Sequence, residues 1–497
     1  MNISLFLQMA AEACPERVAL THEDKHYTYA ELYGAANRAA WQFSRSGCQF
    51  VSVLDVSSPA VPISLIAAAM AGIPYVPLNY RLSEQQLKEL LDRIEPVFLI
   101  VDDHTTADFE QVEGKVQGRK AFMASLAAEP GENFACVEDP SGVAIQLFTS
   151  GTTGTPKAAL LRHEHLVSYI LGSVEFMGAA EEQATLVSVP PYHIAGISAV
   201  MSSIYACRRI VQLPSFDAMD WLNLCSQEQV TNAFVVPTMM TRIIDELEQE
   251  NFSSDRLGSL TAIAYGGGKM PLPVIERALD LLPEVSFANA YGLTETSSTV
   301  TLLDPDDHRE AFNHDDLAIR SRLGSVGKAL PSIEIEIRDE SGNKLDHNQA
   351  GEIYVRGPQV SGEYLERNAL IEDGWFPTRD AGYIDEHGYL YLSGRADDVI
   401  VRGGENISPA EIEDVLYQHS SISDVAAVAV PSEQWGEAIA LAVVLKPGAE
   451  LAEEDIRSLI RSKLRSSRLP EVIQFSQELP YNEAGKLLRR VIKSWFS

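Results

Sequence analysis

The sequence predicts a multidomain α/β protein: a large N-terminal domain of layered α/β subdomains with a small β-barrel-like subdomain, then a small α+β C-terminal domain. Three textures predict it. Short apolar, β-branched runs alternate with helix-period segments through most of the chain, as expected for largely parallel sheets covered by helices. From about Gly324 the runs instead alternate apolar and polar residues, which suggests an antiparallel, half-exposed sheet or small barrel. Beyond Gly394-Arg-Ala-Asp-Asp398 a mixed unit of about 100 residues follows, a common domain size.

Taken in order, Met1–Cys14 reads as an amphipathic first helix. It has no basic residue, Gln8 interrupts its apolar run, and Glu12 and Glu16 follow, so it is not built as a signal peptide. Val51–Leu54, Phe98–Val101, Val143–Phe148, Leu186–Val189, Ile210–Leu213, Ala233–Val236, Ala262–Tyr265 and Val285–Ala288 are expected to be buried strands. Between many of them lie helix-period segments such as Glu84–Arg93, Trp221–Glu228 and Thr238–Glu250. The apolar stretch Ile63–Leu78 contains Gly72, Pro74 and Pro77 and falls short of a membrane span. Ile333–Arg338, Gly351–Arg356 and Tyr389–Leu392 supply the alternating texture, with turns at Glu340-Ser-Gly-Asn343 and Glu386-His-Gly388. The last unit is expected to run strand (Val399–Val401), Gly-rich loop, helix (Pro409–Tyr417), strands (Val425–Val430, Ala438–Leu445), helix (Ala452–Leu464) and strand (Val472–Phe475).

The 39 Lys and Arg stand against 70 Asp and Glu, a net charge of −31. A field of that sign repels nucleic acid and anionic membrane surfaces, and neither is an expected partner. Residues 456–497 are the exception, with nine basic and three acidic side chains. The five cysteines form no Cys-x-x-Cys pair, which fits a reducing compartment, and the expected location is cytoplasmic.

The sharpest local signal is Thr149-Ser150-Gly151-Thr152-Thr153-Gly154-Thr-Pro-Lys157, directly after an expected strand. Its glycines let the backbone come close to a ligand, and its hydroxyls and lysine offer donors to phosphate oxygens. The spacing differs from the Walker loop, so an ordinary P-loop NTPase is not indicated. Residue for residue, this loop resembles the nucleotide-binding loop of the adenylate-forming superfamily, which includes acyl-CoA synthetases, luciferases and peptide-synthetase adenylation domains. Further motifs of that family follow in order: Pro191-Tyr-His-Ile-Ala-Gly196, Tyr265-Gly-Gly-Gly268, Tyr291-Gly-Leu-Thr-Glu295, Gly374-Trp-Phe-Pro-Thr-Arg-Asp380, Gly394-Arg-Ala-Asp-Asp398, Gly403-Gly-Glu-Asn-Ile407 and Asn482-Glu-Ala-Gly-Lys486.

The resemblance implies an AMP-binding N-terminal domain over residues 1–394 and a mobile C-terminal domain over 395–497 that carries the catalytic lysine. It implies an ATP-dependent carboxylic acid–CoA ligase. A carboxylate attacks the α-phosphorus of ATP to give acyl-AMP and pyrophosphate, and CoA then takes the acyl group. The loop 149–157 would hold the β- and γ-phosphates, Thr294 the α-phosphate, and Glu295 a Mg²⁺ ion. Asp380 would accept from the ribose hydroxyls and Arg395 would contact ribose or α-phosphate. Tyr291 would lie beside the adenine, with Gly266, Gly267 and Gly268 permitting close backbone approach. Lys486 would bridge carboxylate and α-phosphate, Asp397 would be the hinge, Gly403 and Gly404 would line the pantetheine tunnel, and His193 would pack over the acyl-adenylate. The resemblance also allows a homodimer.

Two other outcomes share the first step or the fold: an acyl-AMP ligase that loads a carrier protein, and a silent nucleotide-binding homologue. The intact Lys486, Glu295 and Asp380 argue against silence. His163-Glu-His165 lacks a nearby third ligand and is expected to cap a helix, not to bind metal. Arg379 stands where most relatives have Gly, as in a subset of aryl-acid ligases, and Lys269 replaces the usual Pro. The acyl pocket is expected from His193–Val200, Ala264–Gly267 and Pro237–Met239. These segments are small and apolar without an obvious counter-charge, which suits a monocarboxylic aliphatic or aromatic acid.

Overall fold

The computed structural model describes residues 1–126, 133–149, 156–249, 251–395, 398–402, 405–432, 434–481 and 487–496. Ser150–Gly154, Asp397, Gly403, Gly404 and Lys486 therefore lie outside the described residues.

Among the described residues a nine-stranded sheet forms the centre of the N-terminal body. From one edge its strands are Lys328–Ala329, Ser298–Leu303, Ser286–Leu293, Ala262–Gly266, Asn232–Val235, Ala184–Val187, Arg209–Gln212, Val18–His22 and Lys25–Thr28. Pairing is parallel from Ser286–Leu293 through Val18–His22 and antiparallel at both edges. A second sheet contains the parallel strands Phe50–Leu54, Val97–Val101 and Gly114–Gly118. Tyr75 bridges Val51 to Ile145 and so joins this group to the antiparallel pair Val143–Thr149 and Lys157–Arg162.

Alternation along the strands sets the layering, because successive side chains face opposite sides. Phe98 and Ile100 join a core that also holds Val187, Leu20 and the helices Ser4–Ala13, Tyr29–Arg45, Ala60–Ala71 and Ile194–Tyr205. Val97, Leu99 and Val101 turn the other way, onto Leu87, Leu90 and Leu91 of the helix Glu84–Leu91. The far face of the nine-stranded sheet packs on the helices Ala218–Gln227, Pro237–Glu248 and Leu272–Leu281. Two sheets are thus interleaved with three helical layers, the expected α/β body. The apolar Ile63–Leu78 stretch supplies the almost wholly buried helix Ala60–Ala71. No helix among the described residues is long and apolar enough to cross a membrane.

Of the two forms expected after Gly324, the half-exposed sheet is found. Glu334–Arg338, Gly351–Arg356, Phe376–Ile384 and Leu390–Arg395 pair antiparallel in chain order. Its buried side contributes Ile337, Ile353, Val355 and Phe376 to a cluster with Tyr291 and Val300, which fixes this sheet against the edge of the central one.

The C-terminal unit has cores of its own. Ile422–Ser432 and Gly436–Leu445 form a long antiparallel pair, with Val472–Ser476 parallel to the latter. Glu413 is buried in the helix Pro409–Tyr417, where both of its oxygens meet the Arg489 guanidinium, and Oε1 also accepts from Ala427 N at 2.8 Å. Burial opposes its charge, but the Arg489 charge and these hydrogen bonds outweigh it and keep its pKa below the usual carboxylate range. Two residues before Arg489, Leu487 bridges antiparallel to Tyr481, whose hydroxyl is held by Asp424 at 2.9 Å.

Candidate active site

The phosphate-loop motif is rooted in a β-hairpin. Thr149 and Lys157 are direct partners in the antiparallel pair Val143–Thr149 and Lys157–Arg162. The second of these strands was not foreseen; a helix was expected next. That helix, His163–Ser173, begins one strand later, and His165 Nδ1 accepts from Arg162 N at 3.4 Å, so the His-Glu-His segment caps as expected. Among the described residues no cluster of three or more potential metal-binding side chains exists.

Glu295 sits in a single 3₁₀ turn, Thr294–Thr296, between the last parallel strand and its antiparallel neighbour. It is only 8% exposed. Tyr364 donates to Oε1, while Ser361 N and Gly362 N donate to its backbone carbonyl. Among the described residues no cation pairs with it. A buried carboxylate with hydroxyl support and no built-in cation fits a hard divalent ion, which would complete its shell with phosphate and water oxygens. Tyr364 reaches this position because it pairs with Ala159, so the strand carrying Lys157 adjoins the strand Glu363–Tyr364 that supports Glu295.

The surroundings of Asp380 are equally concrete. Asp380 and Arg395 face each other in register on adjacent antiparallel strands. Arg395 Nη1 lies 3.0 Å from Asp380 Oδ1, and Tyr291 donates its hydroxyl to Oδ2 at 2.7 Å. Arg395 also donates to Thr378 O, and Thr378 Oγ1 accepts from Asp380 N, both at 3.0 Å. Burial, and then the Asp380 charge, push the Tyr291 hydroxyl far above its usual range, so it remains a donor. Each carboxylate oxygen keeps a second lone pair for an incoming hydroxyl. Tyr291 is thereby a positioning group for Asp380 as well as the expected aromatic neighbour of the base.

The glycine run is explained partly by packing. Gly266 lies opposite Ala290, and a Cβ there would stand 2.2 Å from Ala290 O. Gly267 has φ +79°, a conformation side chains rarely adopt. Beyond the run, Lys269 Nζ lies 2.6 Å from Asp414 of the helix Pro409–Tyr417. Both partners are well exposed, so the pair is worth at most about 1 kcal/mol.

His193 is the N-cap residue of the helix Ile194–Tyr205, and its Nε2 is shielded without a hydrogen-bond partner. Burial, and secondarily the charge of Arg81, push its pKa down to about 4. It is therefore neutral at physiological pH. Since the unfolded histidine titrates near 6.5, the unfolded chain binds the extra proton first. His193 thus supports stability above about pH 6.5 and loses that contribution as pH falls toward 4. A His193→Gln variant should flatten the acid side of the stability profile in this window, read by melting temperature against pH. Arg81 was not singled out from sequence, having no motif around it.

Arg379 has φ +62° and a side chain 62% exposed, with its Nε 3.9 Å from Glu352 Oε1. Left-handed backbone costs a non-glycine residue about 1–2 kcal/mol. Arg379→Gly should therefore raise the melting temperature. A fall would show that Arg379 contacts outweigh the strain. Of the segments expected around the acyl pocket, Met239 instead turns into the core on the far face of the central sheet.

A buried carboxylate at Glu295 that no described cation pairs with, and an Asp380 carboxylate held by Tyr291 and Arg395, are the arrangement expected of a carboxylate-activating, ATP-using enzyme. The chain matches the family model for AMP-binding enzymes over residues 7–365 and that for the AMP-binding enzyme C-terminal domain over 411–486. It belongs to the AMP-binding enzyme family and is an AMP-forming acid–thiol ligase. It is 32% identical to the 2-succinylbenzoate–CoA ligase of Bacillus cereus (strain AH820), over 98% of this chain and 97% of that protein. Among solved structures it is similar to the o-succinylbenzoate CoA synthetase (MenE) of Bacillus subtilis. With the acyl-adenylate intermediate OSB-AMP that enzyme gives a TM-score of 0.84 at 29% identity, covering 98% of this chain and 97% of that one. Its complex with ATP and a magnesium ion gives 0.83 at 29% identity, covering 98% of each chain.

Proposed function

We propose that this ligase activates 2-succinylbenzoate and passes it to free CoA. The observation that carries the reading is the end-to-end likeness to 2-succinylbenzoate–CoA ligases, with Arg379 in the Thr-Arg-Asp form found in a subset of aryl-acid ligases. The succinyl carboxylate attacks the α-phosphorus of ATP, forming a C–O–P link and expelling pyrophosphate. Thr149, Lys157 and the loop between them would bind the departing phosphates, and Thr294 would donate at the α-phosphate. Glu295 would hold Mg²⁺, which neutralises phosphate charge when bound. Asp380, oriented by Tyr291 and Arg395, takes the ribose hydroxyls. The CoA thiol then attacks the acyl carbonyl and AMP leaves. The neutral His193 cannot serve as a standing cation there and acts as a wall of the acyl site.

The test is mass spectrometry of the products from a panel of acids with ATP, with and without CoA. The expected result is 2-succinylbenzoyl-AMP without CoA and the CoA thioester plus AMP with it. Acid-dependent pyrophosphate release with other acids but not with 2-succinylbenzoate would overturn the substrate. Preference for an added carrier protein over CoA would overturn the acceptor.

A further inference from the structure

Arg93 follows the helix Glu84–Leu91 by two residues and turns its side chain onto the hairpin that roots the phosphate-loop motif. Nη1 donates to Pro156 O at 2.7 Å, and the guanidinium carbon stands 4.9 Å from the centre of the Phe148 ring. Phe148 is the last residue before Thr149, Pro156 is the last before Lys157, and Thr149 and Lys157 are strand partners. One guanidinium therefore touches both legs of the hairpin at the rung where the motif begins and ends. A planar cation can do this because its face takes an aromatic ring while its edge still donates.

The same guanidinium reaches a third segment, because Nη2 donates to Glu366 Oε1 at 2.5 Å. Tyr364 pairs with Arg367, which makes Leu365 and Glu366 the two-residue tip of a second hairpin. Leu365 N also donates to Ala158 O at 2.8 Å. The base of this hairpin is held by Arg162, whose Nε and Nη2 donate to the two oxygens of Glu363 at 2.8 and 2.7 Å. Between the two arginine clamps sits Tyr364, the donor to Glu295. Arg93 is thus joined at once to the root of the loop motif and to the support of the buried carboxylate. Both of its terminal nitrogens are engaged by protein acceptors, so it acts through the parts it joins.

We propose that Arg93 is a positioning residue for the triphosphate of ATP: it clamps the root of the phosphate loop to the hairpin that supports Glu295, so that loop and carboxylate meet the phosphates and their Mg²⁺ as one unit. The inference rests on the reading of the loop as the holder of the β- and γ-phosphates and of Glu295 as the Mg²⁺ carboxylate. Without the clamp the loop root can shift against the carboxylate, and a misplacement of about 1 Å is costly where charge must be met at hydrogen-bond distance. No motif surrounds Arg93 in the sequence, and its three contacts come from separate segments.

The experiment titrates ATP with Mg²⁺, and separately AMP, into the wild type, Arg93→Met, Arg93→Lys and Glu366→Ala. Arg93→Met should weaken ATP about tenfold, the scale of one hydrogen bond to a charged group, and AMP by less than about twofold. In turnover the KM for ATP and the Mg²⁺ concentration for half-maximal pyrophosphate release should rise together, with the KM for the acid unmoved. Unchanged ATP affinity, or an equal loss for ATP and AMP, overturns the proposal. Arg93→Lys keeps the charge but neither the fork nor the flat face, and should retain a loss of at least about threefold. Full recovery there would make the charge itself the cause and overturns the positioning role. Glu366→Ala serves if Arg93→Met fails to fold. It removes a negative charge beside the loop root, which tightens ATP if charge alone acts. The proposal instead expects ATP to bind about threefold more weakly, and tighter or unchanged binding overturns it. Lys157→Ala tests the reading beneath. If ATP affinity is unchanged in that variant, the loop does not hold the phosphates and both readings fall. A loss there with none in Arg93→Met overturns the clamp alone.

Discussion

Glu295→Gln is expected to slow adenylation by about 10²–10³-fold, the scale for removing one preorganised electrostatic contact at developing charge. The exchange is isosteric and keeps an acceptor for the Tyr364 hydroxyl, so the turn Thr294–Thr296 should hold its shape. What disappears is a negative charge that no cation among the described residues pairs with. The Mg²⁺ concentration for half-maximal pyrophosphate release should therefore rise, with partial rescue at high Mg²⁺. The KM for the acid should move little. An unchanged Mg²⁺ dependence would remove Glu295 from the metal site.

Lys486→Ala should have the second large effect, a loss of adenylation of about 10³-fold, with thioester formation from supplied acyl-AMP preserved. Two anions meet in the first step and none needs neutralising in the same way in the second, since the thiol attacks an activated carbonyl. The role is assigned by resemblance, because Lys486 lies outside the described residues. Persistent adenylation in the variant would end that assignment. Loss of both half-reactions together would point to a structural role.

Where chemistry is local the chain was legible. Eight motifs in order marked the AMP-binding enzyme family, and the β-branched runs marked nearly every central strand to within a few residues. The strand Lys157–Arg162 escaped because Lys-Ala-Ala-Leu-Leu-Arg has helix-forming residues. It is a strand because it is paired on both sides, by Val143–Thr149 and by Tyr364. The contacts that tune the site were not legible for a related reason. Tyr364 supports Glu295, Tyr291 orients Asp380, and Lys269 meets Asp414, each pair being separated by long stretches of chain. Their meeting is set by sheet register, which no local pattern encodes.

The bridge between Tyr481 and Leu487 fixes the two described residues on either side of the segment carrying Lys486 against each other. That point is riveted on one side by Asp424 and on the other, through Arg489, by Glu413. The Glu413–Arg489 ion pair, in the interior of that unit, is therefore expected to bear on how Lys486 is presented. Loosening Glu413–Arg489 should therefore blur the delivery of charge and slow adenylation while ATP still binds normally, as a bearing wears without the tool changing.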